Sequence, residues 1–360
     1  MSALQVILLL ALLIFVHELG HFLAARLQGI YANRFSIGFG PVLWKYQGEQ
    51  TEYALRALPL GGFVGFPDDD PDSEIPPNDP NLLRNRPVMD RAIVISAGVI
   101  ANLLFAYFVL VSQVGLVGIP TLNFEPGVKI APVMADSPAQ AAGLQDGDLV
   151  LRVNGINLPA QRESLDLLKD EIGRNPGKAV KLELKRGDAQ QTLDVTPKAT
   201  KSATGEDIGR IGVGLASNGT PFYKRPSGIG NVIGEASNRF QMIVVQTVKG
   251  FGQLITNFGG TANQVAGPVA IVSEGAKLAK ADPTNLFTFA ALISINLAVI
   301  NILPLPALDG GQLMFLMFEA IFRKPVSKRI QDSFMQTGLV LMLGLGVFLI
   351  IRDTANLLPK

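Results

Sequence analysis

The chain is 360 residues long, with 48% hydrophobic and 17% charged residues and a formal charge of +1. That balance lies on the membrane side of the globular average of roughly 25% charged residues and argues for no polyanionic partner such as nucleic acid. The chain has no cysteine, which excludes disulfides, thiolate catalysis and thiolate metal ligands together.

Taken in order, the first element is an apolar helix from about Ala3 to Ala25, long enough to cross a hydrocarbon core of roughly 30 Å. It contains the chain's two histidines, His17 and His21, in the pentapeptide His17-Glu18-Leu19-Gly20-His21. Four residues apart on a helix, the imidazoles share one face with Glu18 beside them, the spacing of a zinc site with its own general base. At a rise of 1.5 Å per residue, His17 lies about 21 Å along the span, within the bilayer and about 10 Å from its cytoplasmic face.

Between Tyr31 and Phe66 apolar residues alternate and are broken by Gly38, Gly40-Pro41 and Gly61-Gly62, a β-hairpin pattern. The acidic stretch Pro67 to Glu74 reads as a solvated linker, because the regular ligand spacing of a calcium loop is missing. A second span runs from about Arg91 to Ile119. From Gly127 to about Leu215 the pattern is that of a small soluble β-rich domain. It has a short capped helix at Ser137 to Gly143, a hairpin turn at Asn154-Gly155 and a helix over Ser164 to Arg174. Phe240, Ile243, Val244, Val248, Phe251, Leu254 and Ile255 recur at helical spacing, which predicts an amphipathic helix on the external membrane surface.

The third span, Leu286 to Phe322, is too long for one straight helix and is interrupted by Pro304, Pro306 and Gly310-Gly311; the fourth covers about Leu339 to Ile351. Arg26 and Arg34 follow the first span, and Arg323, Lys324, Lys328 and Arg329 lie between the third and fourth. Placing both clusters in the cytoplasm puts both termini and the β-rich domain outside.

With no other histidine or cysteine in the chain, a third protein ligand has to be a carboxylate. Asp309 is the strongest candidate, because it lies in the broken middle of the third span, where an ionised carboxylate needs a cation and irregular backbone needs protein or a water-filled cavity around it. Two histidines and one carboxylate leave a fourth zinc position for water, whose proton Glu18 can take and return to a leaving amine. That is the chemistry of peptide hydrolysis.

These residues resemble the site-2 protease family of intramembrane zinc metalloproteases, in its bacterial branch with one PDZ domain. The likeness rests on His17-Glu18-Leu19-Gly20-His21 and on Asn301, Pro304, Pro306, Leu308, Asp309 and Gly310. Weaker support comes from Phe35 to Pro41 with Pro59 to Gly62, Gly98 with Asn102, and Gly267-Pro268-Val269. The resemblance implies one zinc per chain held by His17, His21 and Asp309, Glu18 as the catalytic glutamate, and Asn102, Gly61, Gly62 and Asn301 on the substrate side.

It also implies a polytopic α-helical membrane protein of about four transmembrane helices, one of them broken, with a membrane-associated β-hairpin region and an inserted PDZ domain. The expected parts are a first half of the core over 1–118, the PDZ domain and linker over 119–228, an amphipathic helix and connector over 229–283, and a second half of the core over 284–360. The peptide-binding loop of the PDZ domain would be Ile208 to Gly214; whether it binds a carboxy-terminus or screens bulky substrates is left open.

The expected substrates are single-span regulatory proteins such as anti-sigma factors, or signal-peptide remnants, trimmed first by another protease. The expected location is a bacterial cytoplasmic membrane, or a thylakoid in a cyanobacterium. The competing reading is a membrane-anchored PDZ adaptor with a structural zinc.

Overall fold

The computed structural model of the protein describes residues 2–70, 73–201, 207–257, 259 and 265–357. Pro71 and Asp72 of the acidic stretch lie outside them. The chain divides into two compact units: Met1–Gly118 with Arg225–Lys360, and Ile119–Lys224.

The first unit opens with helix α1 (Ser2–Leu27), strands β1 (Arg34–Gln47) and β2 (Glu52–Gly65), and helix α2 (Val88–Ser112). Both strands are bent, so they pair more than once. Arg34–Ile37 runs parallel to the segment beginning at Glu52 and, on its other side, antiparallel to the one ending at Gly65, with Ile37 opposite Gly62. Val42–Gln47 pairs antiparallel with the Glu52–Arg56 stretch, which leaves Gly62–Gly65 as an outer edge. Phe15 and Phe22 of α1 pack on Phe35, which seats this sheet on the helix.

The acidic stretch, expected as a linker, is tied down at two of its carboxylates. Asp68 accepts from the backbone N–H groups of Leu83 and Arg84, and Asp70 accepts from Asn33 and Arg34. Composition reveals that such residues are polar; it does not reveal which donors a fold brings to them.

The inserted unit comprises β3 (Ile119–Val133), α3 (Pro138–Ala141), β4 (Leu149–Val153), β5 (Ile156–Asn157), α4 (Glu163–Gly173), β6 (Val180–Arg186), β7 (Ala189–Val195), β8 (Lys198–Lys201), β9 (Asp207–Arg210) and β10 (Val213–Lys224). Its main sheet runs β10-β3-β4-β6-β7, with β5 on β4 and a separate β8-β9 ladder. Val128 and Ile130 of β3 and Leu182 and Leu184 of β6 alternate inward, Val150 and Val153 of β4 join them across a bulge, and all close over Leu168 and Ile172 of α4. Asn154 and Gly155 both take positive φ, 49° and 80°, as a tight turn between β4 and β5 requires. Ser137 caps α3 by accepting from the Gln140 N–H at 3.2 Å.

The first unit resumes with α5 (Ile229–Thr256), α6 (Pro268–Ala281), α7 (Asn285–Ile302), α8 (Asp309–Phe322) and α9 (Lys328–Leu357). Among the described residues, four helices are long and apolar enough to cross a membrane: Ala3–Leu27, Val88–Val117, Asn285–Ile302 and Lys328–Asn356. Helix α5 docks along two of these helices. Tyr107 of α2 meets Ser237 at 3.0 Å, and Thr247 donates to Asn296 of α7 at 3.0 Å. An amphipathic pattern reports that one face is covered, and here helices cover part of it.

The expected break in the third span falls between α7 and α8, over Leu303–Leu308, with Ala307 left-handed at φ 66°. The chain doubles back so tightly that a Cβ on Gly310 would lie 2.5 Å from the Ile302 carbonyl carbon. A glycine is needed there for space, which accounts for the residue that follows Asp309.

Candidate metal centre

His17 and His21 project from one face of α1 towards the first residue of α8. The two Nε2 atoms are 3.2 Å apart, and Asp309 Oδ2 is 3.2 Å from that of His17 and 3.4 Å from that of His21. Among the described residues, this is the one group of three or more His, Cys, Asp or Glu side chains arranged to hold a metal ion.

The spacing suits a particular ion size. Ligands at roughly 2.0–2.1 Å from a tetrahedral zinc stand about 3.3 Å from one another, which is the observed triangle. Asp309 Oδ2 is buried and makes no well-directed hydrogen bond among the described residues, although both imidazoles are beside it. Two ring nitrogens and a carboxylate oxygen aimed at one point are a donor set that a divalent cation satisfies and that neutral imidazoles satisfy poorly.

Surrounding groups set the orientation of each ligand. His21 Nδ1–H donates to the Val94 carbonyl of α2 at 2.8 Å, so its Nε2 presents a lone pair. Helix α2 comes this close because Gly98 and Gly20 leave room. A Cβ on Gly98 would overlap the His21 ring and stand 2.7 Å from His17 Cε1, and one on Gly20 would stand 2.7 Å from the Ala101 Cβ. Further along the same two helices, Arg91 of α2 forms a two-pronged ion pair with Glu319 of α8. That pair ties the helix supporting His21 to the helix that begins with Asp309.

Glu18 faces the hairpin sheet. A Cβ on Gly62 would lie 2.8 Å from Glu18 Cγ, and the Val64 backbone N–H is directed at the Glu18 carboxyl group. Gly61 has φ 104°, and any side chain there would meet the Phe39 ring. Asn301, at the C-terminal end of α7, places Nδ2 3.5 Å from His17 Nε2. Asn102 is fully buried at 0% exposure on the other side of the His17 ring, with Nδ2 3.4 Å from Nδ1.

His17, Glu18, His21, Asn102, Asn301, Asp309 and Gly62 therefore lie in or against one cluster, while Gly61, beside Gly62 in the chain, packs on Phe39. Sequence reasoning passed over the Val94 carbonyl, the Arg91–Glu319 pair and the packing role of Gly20. A backbone carbonyl leaves no signature in residue type. The ion pair joins positions 228 apart, and no pattern along the chain links them.

Comparison with known proteins identifies the family. Residues 5–345 match the family described as Peptidase family M50. The chain is 58% identical over 359 residues to a Nostoc protein provisionally named a zinc metalloprotease, covering 99% of this chain and 97% of that one. It is 45% identical over 358 residues to the chloroplastic membrane metalloprotease ARASP of Arabidopsis thaliana, covering 99% and 79%. With the regulator of sigma-E protease RseP of Escherichia coli it shares 31% identity over 436 residues, covering 94% and 96%. A quarter of the chain is similar to the solved PDZ domain of an SdrC-like protein from Listeria monocytogenes, at 29% identity over 25% of this chain and 86% of that one, with a TM-score of 0.20. A matched span this long and relatives this similar settle the family: the chain belongs to peptidase family M50, the site-2 proteases, and is a zinc metalloprotease with membrane helices.

Proposed function

We propose that this protein is an intramembrane endopeptidase that cuts single-span regulatory proteins in or near their transmembrane segments. The observation that carries this reading is the His17–His21–Asp309 triangle on helices α1 and α8, one of them a candidate span, with Glu18 between the two histidines in sequence and against Gly62 of a β-sheet edge.

His17, His21 and Asp309 would hold one zinc per chain. Zinc bound there supplies Lewis acidity, lowering the pKa of a water towards about 7. Glu18 would take a proton from the attacking water on its carboxylate and return it to the leaving amine nitrogen, its position set by the Gly62–Val64 backbone.

A transmembrane helix hides its carbonyls in intrahelical hydrogen bonds, so cleavage needs local unwinding. The Gly62–Gly65 edge, paired on its other side with Arg34–Ile37, can take up the unwound segment by strand addition and restore its backbone partners. Gly61 and Gly62 then keep that edge bare, and Asn301 lies on the side of the ligand cluster from which a scissile carbonyl would approach. Helix-breaking residues in a substrate's span should speed cleavage.

The lysine and arginine distribution supports a topology with both termini and the Ile119–Lys224 unit, read here as a PDZ domain, outside the cytoplasm. The substrates would be proteins of the anti-sigma-factor or signal-peptide-remnant kind, already trimmed externally by another protease. The membrane would be a bacterial cytoplasmic membrane or a thylakoid.

The test is reconstitution of the full chain in liposomes with a single-span reporter. Glu18→Gln should keep its zinc and lose cleavage by at least about 10²-fold; cleavage at the wild-type rate would overturn the assignment.

A further inference from the structure

His17 and His21 are chemically equivalent in the sequence, yet their second nitrogens meet different neighbours. His21 Nδ1–H has the Val94 carbonyl, a group that can only accept, at 2.8 Å. That neighbour forces the proton onto Nδ1 and leaves Nε2 free to ligate. Among the described residues no backbone carbonyl is hydrogen-bonded to His17 Nδ1. Its neighbour is the Asn102 carboxamide, with Nδ2 at 3.4 Å, while Asn102 Oδ1 is buried without a hydrogen-bond partner among the described residues.

The chemistry of an imidazole limits what this contact can be. A neutral ring carries one proton. If the amide nitrogen donates to Nδ1, the proton must sit on Nε2, the atom 3.2 Å from both His21 Nε2 and Asp309 Oδ2. A ring in that tautomer can donate to Asp309, but it cannot ligate through Nε2. Ligation through Nε2 needs the proton on Nδ1 and an acceptor opposite it. Turning the carboxamide by half a turn exchanges two groups of nearly equal shape and brings the orphan Oδ1 to that position.

Resting on the metal reading above, we propose that Asn102 is the positioning residue for His17. Its amide oxygen accepts from Nδ1–H, as the Val94 carbonyl does at His21. Asn102 is suited to the task by its fixed place. It is 0% exposed, and its own backbone carbonyl is held by Ser294 Oγ of α7 at 2.8 Å. Through its backbone carbonyl and its side chain, Asn102 thus links α2 to α7 and to the His17 ring of α1. This takes Asn102 out of the substrate-contacting group and places it behind the ligand.

The test uses the full chain in detergent, charged with zinc and then challenged with graded chelator. Asn102→Asp keeps an acceptor and removes the NH₂ donor; Asn102→Leu removes both. Asn102→Asp should hold zinc against the same chelator concentration as wild type, and Asn102→Leu should release it at a concentration about 10–100-fold lower. Equal resistance of Asn102→Leu and wild type would overturn the proposal, as would loss of zinc from Asn102→Asp, which would make the amide a donor. If Asn102→Leu aggregates on size exclusion, Asn102→Asp still decides between donor and acceptor. Nitrogen-15 labelling of histidine adds a readout that activity does not enter, because the chain has only two such rings. In zinc-loaded wild type the His17 Nδ1–H proton should show a hydrogen-bonded shift that Asn102→Leu loses; the same shift in both proteins would overturn the proposal. A wild-type chain that binds no zinc would instead defeat the metal reading on which this one rests.

Discussion

Gly98 lies against the imidazole of His21 so closely that a Cβ at that position would overlap the ring and stand 2.7 Å from His17 Cε1. The metal triangle depends on α2 approaching α1 at this residue. Gly98→Ala should raise the intrinsic helix propensity of α2 by about 1 kcal/mol while displacing both rings. We expect a folded protein with little zinc, measured as metal content after size exclusion alongside thermal unfolding. Stoichiometric zinc in this variant would show that the rings tolerate another packing.

Removing the metal should remove activity without removing the fold, because the spans also bury apolar side chains such as Val6, Leu13, Leu110 and Ile295. A strong chelator should abolish cleavage of a single-span reporter, and added zinc should restore it. His17→Ala, His21→Ala and Asp309→Ala should each resist that restoration. Recovery in any of the three would remove that residue from the ligand set.

Arg91 and Glu319 are 16% and 17% exposed and join α2 to α8. Arg91→Glu should cost about 2 kcal/mol by leaving a half-buried carboxylate pair, and it should loosen Asp309 from the two histidines. The double exchange Arg91→Glu with Glu319→Arg should recover part of both stability and zinc retention. No recovery in that double variant would mean the pair matters through packing and not through charge.

In the inserted unit, Asp148 is 1% exposed and accepts from Arg186 Nε and Nη2, each at 2.8 Å, and from the Gln145 N–H at 2.9 Å. Burial alone would raise its carboxyl, but the Arg186 hydrogen bonds, the Gln145 N–H and the Arg186 charge hold it below its ordinary value. A depressed folded value means stability that is present above the unfolded pKa of about 3.9 and is lost as pH falls through the folded one. Hydrogen exchange of β4 and β6 amides in the full chain should therefore be steady near neutrality and speed up below about pH 4 relative to intrinsic rates. Asp148→Asn should exchange faster at pH 7 and show a shallower acid dependence. An unchanged acid dependence would assign that destabilisation to another group.

Much of the site was legible because its parts are local. Two imidazoles four apart, a glutamate between them and an apolar run on either side are written within one helix, and helical geometry places them together without help. Asp309 could be inferred because the break at Pro304 and Pro306 marks irregular backbone where apolar sequence surrounds it. The acidic stretch departs from its expected solvated state for the opposite reason. Asp68 and Asp70 meet donors at Leu83, Arg84, Asn33 and Arg34, and nothing in a charge run announces its partners.

The sequence by itself determined the class of chemistry, the number of apolar spans and which side chains are candidates to hold a metal. Only the tertiary structure decided how each imidazole is oriented. The partner of His21 is a carbonyl 73 positions away and that of His17 an amide 85 positions away. Periodicity records which face of a helix is apolar or ligating. Which nitrogen carries the proton depends on a hydrogen bond from another helix, and that bond exists only because Gly20 and Gly98 let the two helices close to contact.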